Sequence, residues 1–144
     1  MNLIRQKIKF DNKLLDQDAL KILKKLTNSD YETYLVGGCI RDILLGHKPK
    51  DFDIATSATP EQIHKLFKRS RIIGRRFKLV HIMFSARKFI EVATFRAGKV
   101  KTSSDGLVLR DNYYGTLEED ALRRDFTVNG LYYDINKSEV IDYV

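Results

Sequence analysis

Residues 35–56 read LVGGCIRDILLGHKPKDFDIAT, and this stretch decides the fold. The apolar run before Gly37-Gly38 has the composition of a short strand, residues 39–45 have that of a short helix, and residues 50–56 have that of a second strand. Two glycines at the end of a strand allow a tight turn that leads directly into a helix. The stretch therefore predicts the order strand, helix, strand at the centre of a mixed fold.

Helical and strand-like segments also alternate along the rest of the chain. Helical spacing or capping residues predict helices over residues 16–28, 60–69, 116–124 and 127–133. Further strands are predicted over residues 31–36, 78–84, 88–95 and 139–143. The second and third of these form a hairpin, and the polar, basic residues 97–115 predict a long loop. Helices mixed with an antiparallel pair indicate the α+β class.

The composition is that of a basic globular domain. The 144 residues carry 26 Lys and Arg against 19 Asp and Glu, a net charge of +7 at pH 7, and 43% of them are hydrophobic. A disordered chain is thereby excluded, and a single domain with a polyanionic partner is expected. The sequence has no run of about 18 apolar residues that could span a membrane.

The only cysteine, Cys39, excludes an internal disulfide framework and a cysteine zinc site, so the expected setting is cytoplasmic. Residues 141–144 belong to an apolar, strand-like run without terminal punctuation. We therefore expect the chain to be part of a longer protein.

Asp51 and Asp53 are the first candidates for chemistry. On a strand they point to the same side, while Phe52 and Ile54 point into a core. Two carboxylates at this spacing repel each other, and a cation between them would stabilise both in the ionised form. Mg²⁺ is the natural choice because it prefers oxygen ligands and is often held by one or two carboxylates together with substrate phosphates. The alternative is an exposed polar face on an edge strand.

Two further features support a phosphate-handling site. Gly37-Gly38 precedes a helix N-terminus, where backbone N–H groups can approach a phosphate, and Arg41 adds a donor; the alternative is a tight turn only. Glu91 is a lone acid in an apolar strand. If this strand lies beside residues 50–56, three carboxylates line one face, as two-metal phosphoryl transfer requires. The alternative for Glu91 is a salt bridge to a lysine.

Three ordered motifs resemble those of class II template-independent nucleotidyltransferases, the family of bacterial poly(A) polymerases and CCA-adding tRNA nucleotidyltransferases. They are LVGGCIRDILLG at residues 35–46, PKDFD at 49–53 and RRDFTVN at 123–129. The resemblance implies that residues 1–144 form a polymerase-β-like nucleotidyltransferase head domain, a small mixed sheet flanked by helices. The neck, body and tail regions of the family would lie outside this chain. Gly130 stands where the family often has Ala.

The resemblance also implies roles for individual residues. Gly37 and Gly38 would contact the triphosphate of ATP, and Arg41 the nucleotide. Asp51 and Asp53 would bind two Mg²⁺ ions. The sugar and phosphates of the incoming nucleotide would be held by Arg124, Asp125 and Asn129. The third catalytic acid is either Glu91 or Asp125.

Within the family, IGRRFKLVHI at residues 73–82 and LRDNYYG at 109–115 are more typical of poly(A) polymerases. The expected function is therefore template-independent addition of AMP from ATP to RNA 3′ ends. The first alternative is the addition of CTP and ATP to tRNA. The second is a fragment that binds nucleotide or RNA without turnover.

A basic stretch between residues 68 and 78 has two interpretations. It contains Lys68, Arg69, Arg71, Arg75, Arg76 and Lys78. These side chains either form a solvated face or contact the RNA backbone, which would give sequence-independent and salt-dependent binding.

Overall fold

The computed structural model describes residues 3–75, 77–97, 114–124 and 130–143. Eight strands within these residues form one sheet. The strands are β1 (Leu3–Lys7), β2 (Thr33–Val36), β3 (Asp53–Thr56), β4 (Ser70–Ile73), β5 (Leu79–Met83), β6 (Phe89–Thr94), β7 (Leu131–Asp134) and β8 (Glu139–Tyr143). Their order is β1-β8-β7-β2-β3-β6-β5-β4. Among these described neighbours, β3 and β6 are the one parallel pair.

Helices connect the strands, and the mixed sheet confirms the α+β class. The α-helices of the described residues are α1 (Gln17–Asn28), α2 (Gly38–Leu44), α3 (Pro60–Leu66) and α4 (Leu117–Arg123). A short 3-10 helix, Asn12–Leu14, precedes α1. No helix in the described part of the chain is long and apolar enough to cross a membrane.

Three of the helices begin at the capping residues that the sequence predicts. The Asp16 side chain accepts hydrogen bonds from the backbone N–H groups of Asp18 and Ala19 at the start of α1. Thr59 starts α3 and Thr116 starts α4, each through a capping box that satisfies backbone donors in both directions. These local signals fix where the helices start without help from the rest of the fold.

The sheet buries side chains on both of its faces. Leu35 in β2 packs in a core with the buried faces of α1, α2 and α3, while its neighbours Tyr34 and Val36 point to the opposite core under α4. The same alternation places Ile54 of β3 in the first core and Ala55 in the second. The central strands are therefore apolar on both sides, and an acid within them needs a specific reason.

The strand predicted over residues 50–56 is shorter in the structure. Strand β3 begins at Asp53, so Asp51 lies in the segment that leads into the strand. The alternation continues through this segment, because Phe52 and Ile54 are buried and Asp51 and Asp53 are exposed. The prediction was therefore wrong about the bounds and right about the direction of the side chains.

The prediction of a helix over residues 127–133 is wrong for residues 131–133, which the structure describes. Residues 131–134 form β7, and residues 125–129 lie outside the described part. Tyr132 and Tyr133 are both fully buried, on opposite faces of the sheet, which is possible only with the two-residue period of a strand. Strands β1 and β4 were not predicted, and most of the loop predicted over 97–115 also lies outside the described residues.

Gly37 makes the turn from β2 into α2. It is the N-cap of the helix and has φ +86° and ψ −145°, a conformation that is almost restricted to glycine. A Cβ atom added there would meet no atom within 4 Å, whereas one added to Gly38 would lie 3.3 Å from Nη2 of Arg41. Backbone conformation is therefore the constraint at Gly37, and close approach is the constraint at Gly38.

Substitution of the two glycines should separate these constraints. Gly37→Ala should lower the free energy of unfolding by about 1–3 kcal/mol, the usual cost of a strained backbone conformation. Gly38→Ala should leave it nearly unchanged, because alanine favours a helix and the end of the Arg41 side chain can move. Urea unfolding of both variants measures the difference. Equal stability of the two variants would contradict the assignment of strain to Gly37.

Candidate active site

Two carboxylates face each other across the parallel pair of strands. Asp53 at the start of β3 is in register with Glu91 of β6. Ile90 and Val92, on either side of Glu91, are buried in the core on the opposite face of the sheet. The sheet therefore places both acids on the α4 side, as expected if the two strands are neighbours. The alternative of an edge strand for Asp53 is wrong, because β3 lies between β2 and β6.

Glu91 pairs with a histidine in the described structure. Oε1 of Glu91 lies 3.4 Å from Nε2 of His81, which is its register partner on β5. The His81 ring stacks on Phe89 with a centroid distance of 4.1 Å. The alternative considered for Glu91 was a salt bridge to a lysine, but its partner in the described structure is His81.

An open pocket lies over the start of the parallel strands. Its volume is about 440 Å³, and the acids Asp51, Asp53 and Glu91 line it. Lys50 and Arg87 line the same pocket. The three acids predicted from the sequence thus reach one space, with cationic side chains beside them.

A second pocket, of about 250 Å³, lies over the turn into α2. Gly37, Gly38 and Arg124 line it together with Asp53 and Glu91. Residues that are far apart in the sequence therefore meet around the same two acids. The two pockets share Asp53 and Glu91, so these carboxylates stand at the boundary between them.

Burial and charge repulsion raise the pKa of Asp53. The surrounding protein excludes part of the solvent from its carboxylate although the side chain opens into the pockets, and Glu91 and Asp51 add negative charge. Arg124 opposes this and is close enough to lower the pKa in part. The ionised form of Asp53 is therefore less stable here than it is in water, and a nearby cation would favour it.

The donor set of these acids fits Mg²⁺. Within the described residues, no group of three or more His, Cys, Asp or Glu side chains is spaced to enclose a metal ion. Mg²⁺ is commonly held by one or two carboxylates together with substrate phosphates, so a site open to the pocket suits it. The raised pKa of Asp53 points the same way, because a bound cation would relieve the repulsion.

The other predicted residues have different positions. Arg41 lines neither pocket; its Nε lies 3.2 Å from Oδ1 of the adjacent Asp42. Asp125 and Asn129 lie outside the described residues, so their roles stay predictions. In the basic stretch, Lys68, Arg69 and Arg71 border a shallow depression at the β4 end of the sheet.

Sequence reasoning missed one residue beside the site, Asp120. Its side chain is 1% exposed, and both of its carboxylate oxygens accept hydrogen bonds. Oδ2 accepts from Nε of Arg124 at 2.9 Å and from the hydroxyl of Tyr132 at 2.6 Å. Oδ1 accepts from the backbone N–H of Arg96 at 2.9 Å and from Nε of Arg123 at 3.2 Å.

A signal for Asp120 was present in the sequence. An acid three and four residues before a pair of arginines on one helix brings all three side chains to the same face. Burial alone would raise the pKa of Asp120, but Arg124, the Tyr132 hydroxyl and the other donors hold it below its usual value. The residue is therefore a buried anion with its charge compensated.

Residues 33–144 match the family of the poly A polymerase head domain. The chain therefore belongs to this family, and the resemblance stated from the sequence motifs is confirmed.

Curated relatives carry two different names. Over 136 residues the chain is 55% identical to poly(A) polymerase I of Haemophilus influenzae, covering 88% of this chain and 30% of that protein. It is 41% identical over 127 residues to a CCA-adding enzyme of Streptococcus agalactiae, covering 88% of this chain and 31% of that one. The chain thus spans about a third of the length of these relatives.

A solved structure has the same fold. The crystal structure of the Bacillus stearothermophilus CCA-adding enzyme in complex with CTP matches with a TM-score of 0.66 at 36% identity. The match covers 85% of this chain and 28% of that one. The fold of a small mixed sheet flanked by helices is therefore that of a known nucleotidyltransferase.

Asp53→Asn should stabilise the metal-free protein at neutral pH. Because the fold raises the pKa of Asp53 above its usual value, the stability that this residue contributes is fully present at a pH below that usual value and is lost as the pH rises through the raised pKa. The neutral amide of Asn at position 53 does not ionise, so the variant avoids this loss of stability. Thermal unfolding in EDTA should show a higher midpoint for the variant at pH 7 and a smaller difference near pH 4. A variant that is less stable than the wild type at pH 7 would contradict the electrostatic account.

Proposed function

We propose that the protein carrying this chain adds AMP from ATP to RNA 3′ ends without a template. One observation carries the proposal: two pockets meet at Asp53 and Glu91. A reaction that joins a nucleotide to an RNA end needs two substrate sites that converge on the reacting phosphate. The glycine-lined pocket suits the nucleotide, and the pocket with Lys50 and Arg87 suits the RNA end.

The chain's own residues would bind and orient the nucleotide. Gly37 and Gly38 line the pocket without a Cβ, so their backbone N–H groups would be able to approach the phosphates closely. Arg124 adds a positive charge from the opposite wall of the same pocket. Together they would direct the α-phosphate of ATP toward the two acids.

Asp51 and Asp53 would hold two Mg²⁺ ions, with Glu91 or Asp125 as the third acid. Ions bound by these residues would supply Lewis-acid chemistry there, a lower pKa for the RNA 3′-hydroxyl and compensation of the negative charge on the triphosphate. Glu91 has the support of its register with Asp53. His81 holds the Glu91 carboxylate from the side away from Asp53.

The choice between AMP addition and CCA addition rests on the relatives. The identity of 55% to a poly(A) polymerase exceeds the 41% to a CCA-adding enzyme. Residues 73–82 favour the same branch through the sequence motif given above. AMP addition is therefore the main proposal, and CTP and ATP addition to tRNA is the alternative.

The domain assignment is part of the proposal. The chain would be the catalytic head of a protein with neck, body and tail regions, since it spans about a third of its relatives. The RNA backbone would contact the basic residues of the 68–78 stretch, and the protein would act in the cytoplasm. The head alone, without those regions, would bind nucleotide or RNA with little turnover.

Removal of either Asp51 or Asp53 should abolish the reaction in the full-length protein. Asp51→Ala and Asp53→Ala should each lower AMP incorporation by about 10³-fold or more, since a lost metal site costs several kcal/mol of transition-state stabilisation. Glu32→Ala, at an exposed acid just before β2 and therefore at the opposite end of that strand from Gly37, is the control and should keep full activity. Near-normal Mg²⁺-dependent activity of either aspartate variant would show that the metal assignment is wrong.

Nucleotides offered one at a time separate the two branches. With an unstructured RNA primer, the full-length protein should make long tails from ATP and none from CTP. Addition of CTP to a tRNA that lacks its CCA end would instead favour the alternative. Binding of Mg-ATP by the 144-residue chain without turnover, measured by calorimetry, would support a head that needs the remaining regions.

A further inference from the structure

Three arginines converge beside the glycine-lined pocket. Arg96 follows β6, the strand that carries Glu91, and Arg123 and Arg124 end α4. The side chains of Arg123 and Arg124 form ion pairs with the Asp120 carboxylate, which also accepts a hydrogen bond from the backbone N–H of Arg96. Of the three, Arg124 lines the glycine-lined pocket together with Gly37 and Gly38.

The arginines are crowded. Burial lowers the pKa of Arg96, and the neighbouring charges of Arg123 and Arg124 lower it further. The Arg96 guanidinium lies 3.6 Å from the centre of the Phe77 ring, and in the described part of the structure its buried Nε has no hydrogen-bond partner. The Asp120 carboxylate compensates part of this positive charge.

Asp120 fixes the direction of Arg124. The hydrogen bond uses Nε, the guanidinium nitrogen nearest the chain, so it determines where the rest of the group projects. The Tyr132 hydroxyl holds the same carboxylate oxygen at 2.6 Å, and Tyr132 is itself fully buried. The support of Arg124 is thus anchored in the sheet through β7.

We propose that Asp120 is a positioning residue that holds the Arg124 guanidinium at the nucleotide pocket, where it is available to the triphosphate. The inference rests on the proposed function, because it takes the ligand of that pocket to be ATP. Asp120 does not touch the nucleotide; it acts through Arg124. Its hydrogen bond to the Arg96 backbone also ties this arginine to the end of the strand that carries Glu91.

A double-mutant cycle on the full-length protein tests this action. The variants are Asp120→Asn, Arg124→Gln and both together, and the measurement is the dissociation constant of ATP with Mg²⁺. Asp120→Asn should raise the constant about tenfold, the size expected for one misplaced charge-assisted contact. In the Arg124→Gln background the same change should have an effect of less than about twofold, because the residue it acts through is already absent.

Asp134→Asn is the matched control. Asp134 is another buried acid, on the same strand as Tyr132, but in the described structure it accepts only from the backbone N–H groups of Asn136 and Lys137. Its substitution should leave ATP affinity unchanged. An equal loss of affinity from Asp120→Asn in both backgrounds would show a general structural role and overturn the proposal, as would unchanged affinity in the wild-type background.

Tyr132→Phe covers the case in which Asp120→Asn does not fold. It removes one donor to Asp120 and keeps both ion pairs. ATP affinity should fall about threefold, as for one neutral hydrogen bond, and only when Arg124 is present. Unchanged affinity would overturn the inference. Wild-type protein that does not bind ATP, with no effect of Arg124→Gln, would instead overturn the proposed function and this inference with it.

Discussion

Repulsion between two carboxylates on neighbouring parallel strands is the constraint around which the molecule is arranged. Asp53 and Glu91 are held opposite each other by strand register, so neither can move away without loss of the pairing of β3 and β6. The apolar cores on both faces of the sheet make that pairing rigid. The repulsion between these like charges lowers the stability of the fold locally. A bound cation with its phosphate ligand would offset the repulsion.

The positive groups of the site are placed to complement this negative centre without neutralising it. Arg124 acts on Asp53 from the far wall of the glycine-lined pocket, but its closest partner is the buried Asp120. A direct salt bridge from Arg124 to Asp53 would fill the place of the metal. An internal counter-ion therefore keeps the arginine near the acids and available to a phosphate.

Local signals predicted much of this structure, and long-range contacts account for the rest. The helix starts at Asp16, Thr59 and Thr116 depend on hydrogen bonds within a few residues, so the sequence reveals them. The direction of Glu91 followed from its apolar neighbours. The strand at Tyr132 and Tyr133 was missed because the two tyrosines are buried in different cores, so the sequence shows a continuous apolar run and no alternation. A short apolar run of this kind is consistent with either a helix or a strand. Asp120 was missed because its partners Arg96 and Tyr132 are distant in the sequence.

Strand β1 has a consequence for the order in which the chain folds during synthesis. Its five residues are exposed, and its described strand neighbour is β8, with Leu3 opposite Tyr143 and Lys7 opposite Glu139. The ribosome makes β1 before β8, so β1 must wait unpaired until the strands between them in the sequence have emerged. The loop closed by this pairing is the longest in the sheet, which makes it a late event. The sheet would therefore assemble around its central strands, and the edge strand β1 would join late.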